Sequence, residues 1–187
     1  FFFFFFFFFL IDHFRGLESY WSVPAGEKTA VNGHWRKGPG MDFLERIKGW
    51  FKGIEIIAED LGILTDEVRR LLKESGFPGM KVLEFAFDNS RTSDYLPYKY
   101  DKNCVCYAGT HDNATLKEWK ETGDKAEIAF AKEYFGITGR SSFNFGIIKG
   151  GMASTADLFI TQMQDYLELG KEARTNVPGV ADGNWKW

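Results

Sequence analysis

Short apolar runs alternate with amphipathic stretches of helical period along this 187-residue chain, and each change of rhythm passes through a polar loop. That order constrains the fold strongly, because a strand, a helix and another strand in succession pack well only as a parallel sheet covered by helices. The strand-like runs are Ile54 to Ala58, Lys81 to Phe87, Cys104 to Ala108 and Leu158 to Met163. Helical spacing links Phe43, Leu44, Ile47, Trp50 and Phe51, and Gly53 ends that pattern. A second helix starts at the cap Thr65, carries Asp66 and Glu67 in its first turn, and runs to about Ser75. A third pattern covers Ala114 to Phe135 with a break near Gly123, while Gly76-Phe77-Pro78-Gly79 reads as a turn and Asp88 to Asn103 as a long polar loop. Three or four strand-and-helix units make about half of an eight-fold α/β barrel, which typically needs about 250 residues. The other half is expected upstream. A half barrel exposes sheet edges and an open core face, so the chain alone is expected to associate.

Residues 1–9 are all phenylalanine, which matches no ordinary strand and is too short for a bilayer span of about 20 apolar residues. With no basic segment, no initiator methionine and no small-residue cleavage site, the run reads as an artefact or a placeholder rather than a signal peptide. Asp and Glu number 26 against 23 Lys and Arg, a formal charge of -3 that gives no reason to expect a nucleic acid partner, and nothing reads as a membrane segment. Cys104 and Cys106 lie two apart on one strand and are expected to be reduced thiols. A cytoplasmic location is the expectation for such a chain.

Three carboxylates each close an apolar run: Asp12 after Leu10-Ile11, Glu59 after Ile56-Ile57-Ala58, and Asp112 after Ala108-Gly109-Thr110-His111. The carboxyl end of a parallel strand is where a barrel keeps its catalytic groups, and a retaining sugar enzyme needs two carboxyls facing one bond. Asp12 precedes His13 and Arg15, and nearby positive charge favours the ionised form a nucleophile requires. Its plain structural alternative is an ion pair with Arg15. Glu59 sits among apolar residues beside Asp60, surroundings that raise a carboxyl pKa as a general acid requires. The alternative is that Glu59, or more readily Asp60, caps the segment that follows. Asp112 fits a group that holds ring hydroxyls, or an Asx-turn. His13, His34 and His111 invite a zinc reading, but none has i,i+4 spacing, so no metal is expected. The stretch from Gly146 to Ser154 lacks the Gly-Lys-Ser/Thr order of a phosphate loop, and Met152 and Met163 read as core. Tyr20, Trp21, Trp35, Tyr95, Tyr98 and Trp185 could stack on sugars or serve packing.

Five segments carry a resemblance: Ile-Asp-His-Phe-Arg-Gly-Leu-Glu-Ser-Tyr-Trp-Ser-Val-Pro-Ala-Gly (11 to 26), Ile-Ile-Ala-Glu-Asp-Leu-Gly (56 to 62), Gly-Phe-Pro-Gly-Met-Lys-Val-Leu-Glu-Phe-Ala-Phe (76 to 87), Gly-Thr-His-Asp-Asn (109 to 113) and Arg-Thr-Asn-Val-Pro-Gly (174 to 179). In order and spacing the chain resembles the 4-alpha-glucanotransferases, also called amylomaltases or disproportionating enzymes. The resemblance implies an α/β fold that is the C-terminal part of a TIM (β/α)8 barrel, about strands four to eight, with residues 10–187 as a partial catalytic barrel domain. It implies Asp12 as nucleophile, Glu59 as acid/base and Asp112 as transition-state stabiliser. His13 and His111 would contact the donor sugar, Phe85 would line the cleft, and Asn176 would lie near the glucan. The implied partners are alpha-1,4-glucans, maltooligosaccharides and the missing N-terminal half of the barrel, with no cofactor. A plastid would replace the cytoplasm in a plant or alga.

Two departures from the family pattern bear on activity. Leu10 stands where the family has an arginine two positions before the nucleophile, and Ala114 stands where its Thr-His-Asp-Asn-Asp-Thr motif has a second aspartate. With half a barrel absent as well, the chain alone is expected to be inactive. The other readings are an alpha-glucan hydrolase with the same triad and a glucan-binding fragment without turnover.

Overall fold

The structure, a computed structural model, describes residues 8–62, 64–139 and 141–187, so most of the phenylalanine run lies outside the described residues. The chain divides into two units, Phe1–Met80 and Lys81–Trp187.

The first unit contains β1 (Phe8–Ile11), α1 (Arg15–Glu18), β2 (Ser19–Ser22), β3 (His34–Lys37), α2 (Gly40–Trp50), β4 (Glu55–Ala58) and α3 (Asp66–Ser75). β1 and β4 pair in parallel with Ile11 opposite Ala58. The ladder runs on past both strands, since the Glu59 amide donates to Ile11 O at 3.0 Å and the Phe14 amide to Glu59 O at 3.0 Å. Thr65 caps α3 by accepting from the Val68 amide, Asp66 and Glu67 suit the positive end of its dipole, and Gly76, at φ 68°, ends it in the left-handed region. α3 turns Val68, Leu71 and Ser75 inward at helical spacing, and the core that Val68 and Leu71 join includes Phe14, Leu44, Ile56 and Ala58.

The antiparallel hairpin β2-β3 was not anticipated in the sequence, because its strands are four residues long and carry little apolar alternation. Its register places Trp21 opposite Trp35, and the two rings meet edge to face at 5.4 Å.

β5 (Gly79–Val82), within which the division falls, forms a three-stranded sheet with β6 (Cys104–Tyr107) and β7 (Leu158–Ile160), in the order β5-β6-β7. β6 and β7 are parallel, with Val105 opposite Leu158. The expected strand Lys81 to Phe87 ends early: Leu83–Phe85 is a turn of 3-10 helix. Leu83, Ala86 and Phe87 are buried and Phe85 is exposed, an i, i+3, i+4 spacing that belongs to a helical turn. Likewise the run from Leu158 stops at Ile160, and Met163 opens a short helix.

α4 (Leu116–Thr122) and α5 (Lys125–Tyr134) divide at Gly123 as expected, each with its own cap, Thr115 and Asp124. α6 (Phe143–Met152) and α7 (Met163–Tyr166) complete the unit. The glycines of α6 serve packing: a Cβ on Gly150 would meet the Phe135 ring at 2.1 Å, and one on Gly151 the Phe159 ring at 2.1 Å. Phe87, 1% exposed, sits among Trp119, Phe130, Tyr134 and Phe135 with ring centroids 5.4 to 6.2 Å away. Met152 and Met163 are 66% and 61% exposed, a correction to their reading as core. Met152 follows the inward Gly151, and α7 turns Gln164 and Asp165 inward instead of Met163. Cys104 and Cys106 are both buried and form no disulfide with each other, and burial pushes the Cys106 thiol up to about 12. Among the described residues no helix is long and apolar enough to cross a membrane.

Candidate active site

The parallel register of β1 and β4 sets the first group of candidates. Ile11 and Ala58 are paired, so Asp12 and Glu59 leave the same end of two adjacent strands as the next residue of each. One oxygen of Asp12, one of Glu59 and one ring nitrogen of His13 all lie within 4.8 Å of one another. His13 Nδ1 is 2.5 Å from Glu59 Oε2, and Glu59 Oε1 accepts the Leu61 amide at 3.0 Å. Both oxygens of Glu59 are therefore engaged while Asp12 stays exposed. Burial raises the Glu59 pKa, the His13 hydrogen bond and the Leu61 amide pull it back in part, and the negative charge of Asp12 raises it again.

The raised Glu59 agrees with the sequence reading, but the acid acting on it is Asp12. Asp60 Oδ1 accepts the Met80 amide at 2.6 Å, at the start of a later strand. Glu59 itself takes the Leu61 amide, so the capping alternative holds alongside the contact with His13. The guanidinium of Arg15 lies over the Trp35 ring, 4.6 Å from its centroid. Among the described residues, Asp12, His13 and Glu59 are also a group that could hold a metal ion, yet His13 Nδ1 and Glu59 Oε2 are engaged with each other. His34, named with them in the zinc reading, lies on the exposed hairpin and takes a hydrogen bond from Arg36 Nε at 3.1 Å.

The second unit holds the other candidates. Gly109 lets the chain pass close to Glu84, since a Cβ there would sit 2.7 Å from Glu84 Oε1. The Thr110-His111-Asp112-Asn113 turn that follows is closed by Asn113, whose Oδ1 accepts from Thr110 N at 3.0 Å and from Thr110 Oγ1 at 2.7 Å. The side chain that closes the turn is that of Asn113, and the carboxylate of Asp112 is half-exposed. Asn176 Nδ2 donates to Asp112 Oδ1 at 2.5 Å, and His111 Nε2 is 3.3 Å from the same oxygen. The Asn176 amide donates to His111 O at 3.1 Å, and the His111 ring lies 5.1 Å from that of Trp185. Asp112, His111, Asn176 and Trp185 thus form one half-exposed polar and aromatic cluster. Phe85 is half-exposed and lies edge to face with Tyr95, the ring centroids 5.6 Å apart.

Beneath the turn are residues that the sequence reading did not single out. Glu84 Oε2 accepts from Asn113 Nδ2 at 3.2 Å, while Glu84 Oε1 is buried with no hydrogen-bond partner among the described residues. Burial, and next the negative charge of Asp165, push the Glu84 carboxyl well above its ordinary range. Asp165 is 1% exposed and accepts the Leu116 amide at 2.8 Å; its pKa is raised by burial. No local signal marks Glu84 or Asp165, because their role depends on contacts far along the chain.

A family model described as 4-alpha-glucanotransferase matches residues 5–187. The chain is 53% identical over 178 residues to the 4-alpha-glucanotransferase of Clostridium butyricum, covering 95% of this chain and 37% of that protein. It is 45% identical over 184 residues to the 4-alpha-glucanotransferase of Thermus thermophilus, covering 95% of this chain and 37% of that protein. Among solved structures it is similar to the amylomaltase from Streptococcus agalactiae in complex with acarbose, with a TM-score of 0.88, 36% identity, and coverage of 95% of this chain and 36% of that one. The chain spans just over a third of the length of these relatives.

Proposed function

The chain belongs to the 4-alpha-glucanotransferase family, and from that premise we propose that it carries the nucleophile, the acid/base and the transition-state stabiliser of an enzyme that moves alpha-1,4-glucan segments onto an acceptor sugar. The observation that carries the reading is the placement of Asp12 and Glu59 on adjacent parallel strands, with one oxygen of each within 4.8 Å. A retaining pair stands about 5 to 5.5 Å apart, and an inverting pair stands wider to admit a water.

In this reading Asp12 attacks the anomeric carbon while Glu59 gives its proton to the departing glycosidic oxygen, and a glycosyl ester on Asp12 results. The hydroxyl of an acceptor glucan then attacks the same carbon, Glu59 takes up the hydroxyl proton, and the bond to Asp12 breaks. The raised pKa of Glu59 suits the first step, since its proton must still be in place near neutral pH. Asp112, aligned by Asn176, is the group that holds ring hydroxyls, and His13, His111 and Phe85 contact the sugar.

The five strands β1, β4, β5, β6 and β7 support an assignment to strands four to eight of a TIM barrel, with the upstream half of the barrel as the partner that completes the site. In that assignment residues 10–187 are the partial catalytic domain, and the chain alone does not turn over. A potato relative carries a chloroplastic/amyloplastic name, so the compartment is the cytoplasm in a bacterium and a plastid in a plant.

The test replaces the matching segment of the Clostridium butyricum relative with residues 11–187 and incubates the chimera with maltotriose. Longer oligomers support transfer. Glucose and maltose alone would assign the triad to hydrolysis, and binding without turnover would leave a glucan-binding segment.

A further inference from the structure

Arg174 joins three parts of the second unit. Its Nη2 donates to the main-chain oxygen of Asp112 at 2.7 Å, its Nε donates to the main-chain oxygen of Asn176 at 3.0 Å, and its Nη1 lies 3.7 Å from Glu118 Oε1. Glu118 is on α4, 6% exposed, and its other oxygen is buried with no hydrogen-bond partner among the described residues. The guanidinium is therefore tethered on one side to a fixed, buried carboxylate. With its other donors it holds the backbones of the two residues whose side chains meet at 2.5 Å, Asn176 Nδ2 and Asp112 Oδ1.

A planar fork suits that task and a single ammonium does not, because two carbonyls and a carboxylate lie in different directions around it. Arg174 also faces Glu84 and draws down its carboxyl pKa, so one cation serves more than one acid under the Gly109–Asn113 turn. Charge-assisted hydrogen bonds to carbonyls in a partly buried setting resist exchange for water better than neutral ones. The side chain of Arg174 is 21% exposed, too enclosed for a solvated surface charge.

We propose that Arg174, anchored by Glu118, is a positioning residue that sets the orientation of Asp112 and Asn176 toward the glucan. It touches no reacting atom and acts through two main-chain oxygens. This inference rests on the reading of Asp112 as a site residue.

The test has two readouts on the chimera with the Clostridium butyricum relative. The first is hydrogen exchange at the Asn176 amide, which is bonded to His111 O, and at the Trp185 amide, which is bonded to Thr175 O at 2.7 Å. Arg174→Gln is expected to lower protection at both about tenfold or more, and to leave unchanged the Ala108 amide, which is bonded to Ile160 O at 3.1 Å just past β6. The second is transfer kinetics, where kcat is expected to fall about 100-fold with KM changed less than about threefold, as for a misplaced group that acts in the transition state. Arg174→Lys keeps the charge opposite Glu118 without the fork and is expected to remain at least about tenfold impaired in kcat; it also serves if the glutamine variant does not fold. Unchanged protection at Asn176, or a lysine variant as active as arginine, overturns the proposal. Lost protection with unchanged kcat leaves the tether standing and overturns the catalytic role of Asp112 instead.

Discussion

His13 Nδ1 and Glu59 Oε2 lie 2.5 Å apart, so one hydrogen sits between an imidazole and the carboxyl assigned as acid/base. The two residues are 46 positions apart in sequence, and the contact exists because β1 and β4 end at the same level. His13 pulls the Glu59 pKa down against burial, through its hydrogen bond and its charge. His13→Ala in the chimera is expected to move the alkaline limb of the kcat/KM profile to higher pH, because the carboxyl then loses the partner that favours its ionised form. Activity should fall about tenfold or more from lost orientation. A limb that moves to lower pH, or stays in place, counts against the assignment of Glu59 as the acid.

Glu59→Gln removes the proton donor and keeps the shape of the side chain. Transfer should fall by about 10² to 10⁴, the range that general acid catalysis contributes. Product analysis on maltotriose reads this directly, and a variant within threefold of the parent would exclude the role.

Glu84 links the fold to pH. Its carboxyl is raised well above 4.5 in the folded protein by burial and by Asp165. A group raised on folding contributes stability that is fully present below its unfolded value and is lost as pH rises toward its folded value. The slope is about 1.4 kcal/mol per pH unit for one such group. Unfolding in urea at a series of pH values from about 4.5 upward should show the parent losing stability relative to Glu84→Gln as pH rises. A pH-independent difference would mean that Glu84 does not titrate between these states.

Gly150 and Gly151 carry aromatic rings where a side chain would stand. Gly151→Ala requires the Phe159 ring to retreat from a position 2.1 Å from the new carbon, and overpacking of this kind costs about 1 to 3 kcal/mol. The urea midpoint should fall accordingly, and an alanine variant at least as stable as the parent would show that the ring has room to move.

β1 leaves Phe8, Phe9 and Leu10 at 44 to 54% exposure, and Trp50 and Phe51, a few residues before β4, are exposed as well. The chain alone is expected to associate through such surface. Sedimentation velocity on it should show oligomers. A monodisperse monomer with one cooperative melting transition would refute this.

Much of the first unit was legible because its signals are local: the Thr65 cap, the turn at Gly76 and the apolar β4 are each set by neighbours in sequence. The placement of Asp12 and Glu59 at strand ends was legible for the same reason. Residues 81 to 87 misled because Val82, Leu83, Phe85 and Phe87 fit a strand pattern nearly as well as a helical turn, and only burial decides between them. The hairpin gave too short a pattern to read. Arg174 opens the Arg-Thr-Asn-Val-Pro-Gly segment, yet its contacts with Asp112 and Glu118 span 62 and 56 positions, and no periodicity reports on such distances.

Because Asp12 and Glu59 are set by the pairing of Ile11 with Ala58, their separation depends on strand register and not on the length of chain that joins them. The hairpin between them is free to lengthen or to be exchanged without moving the carboxyls, since its tip is exposed from Glu27 to Asn32. A one-residue slip of β4 against β1 would instead turn Glu59 to the other face of the sheet. The intervening segment is thus a place where new acceptor preferences could be grafted while the spacing of the chemistry is kept.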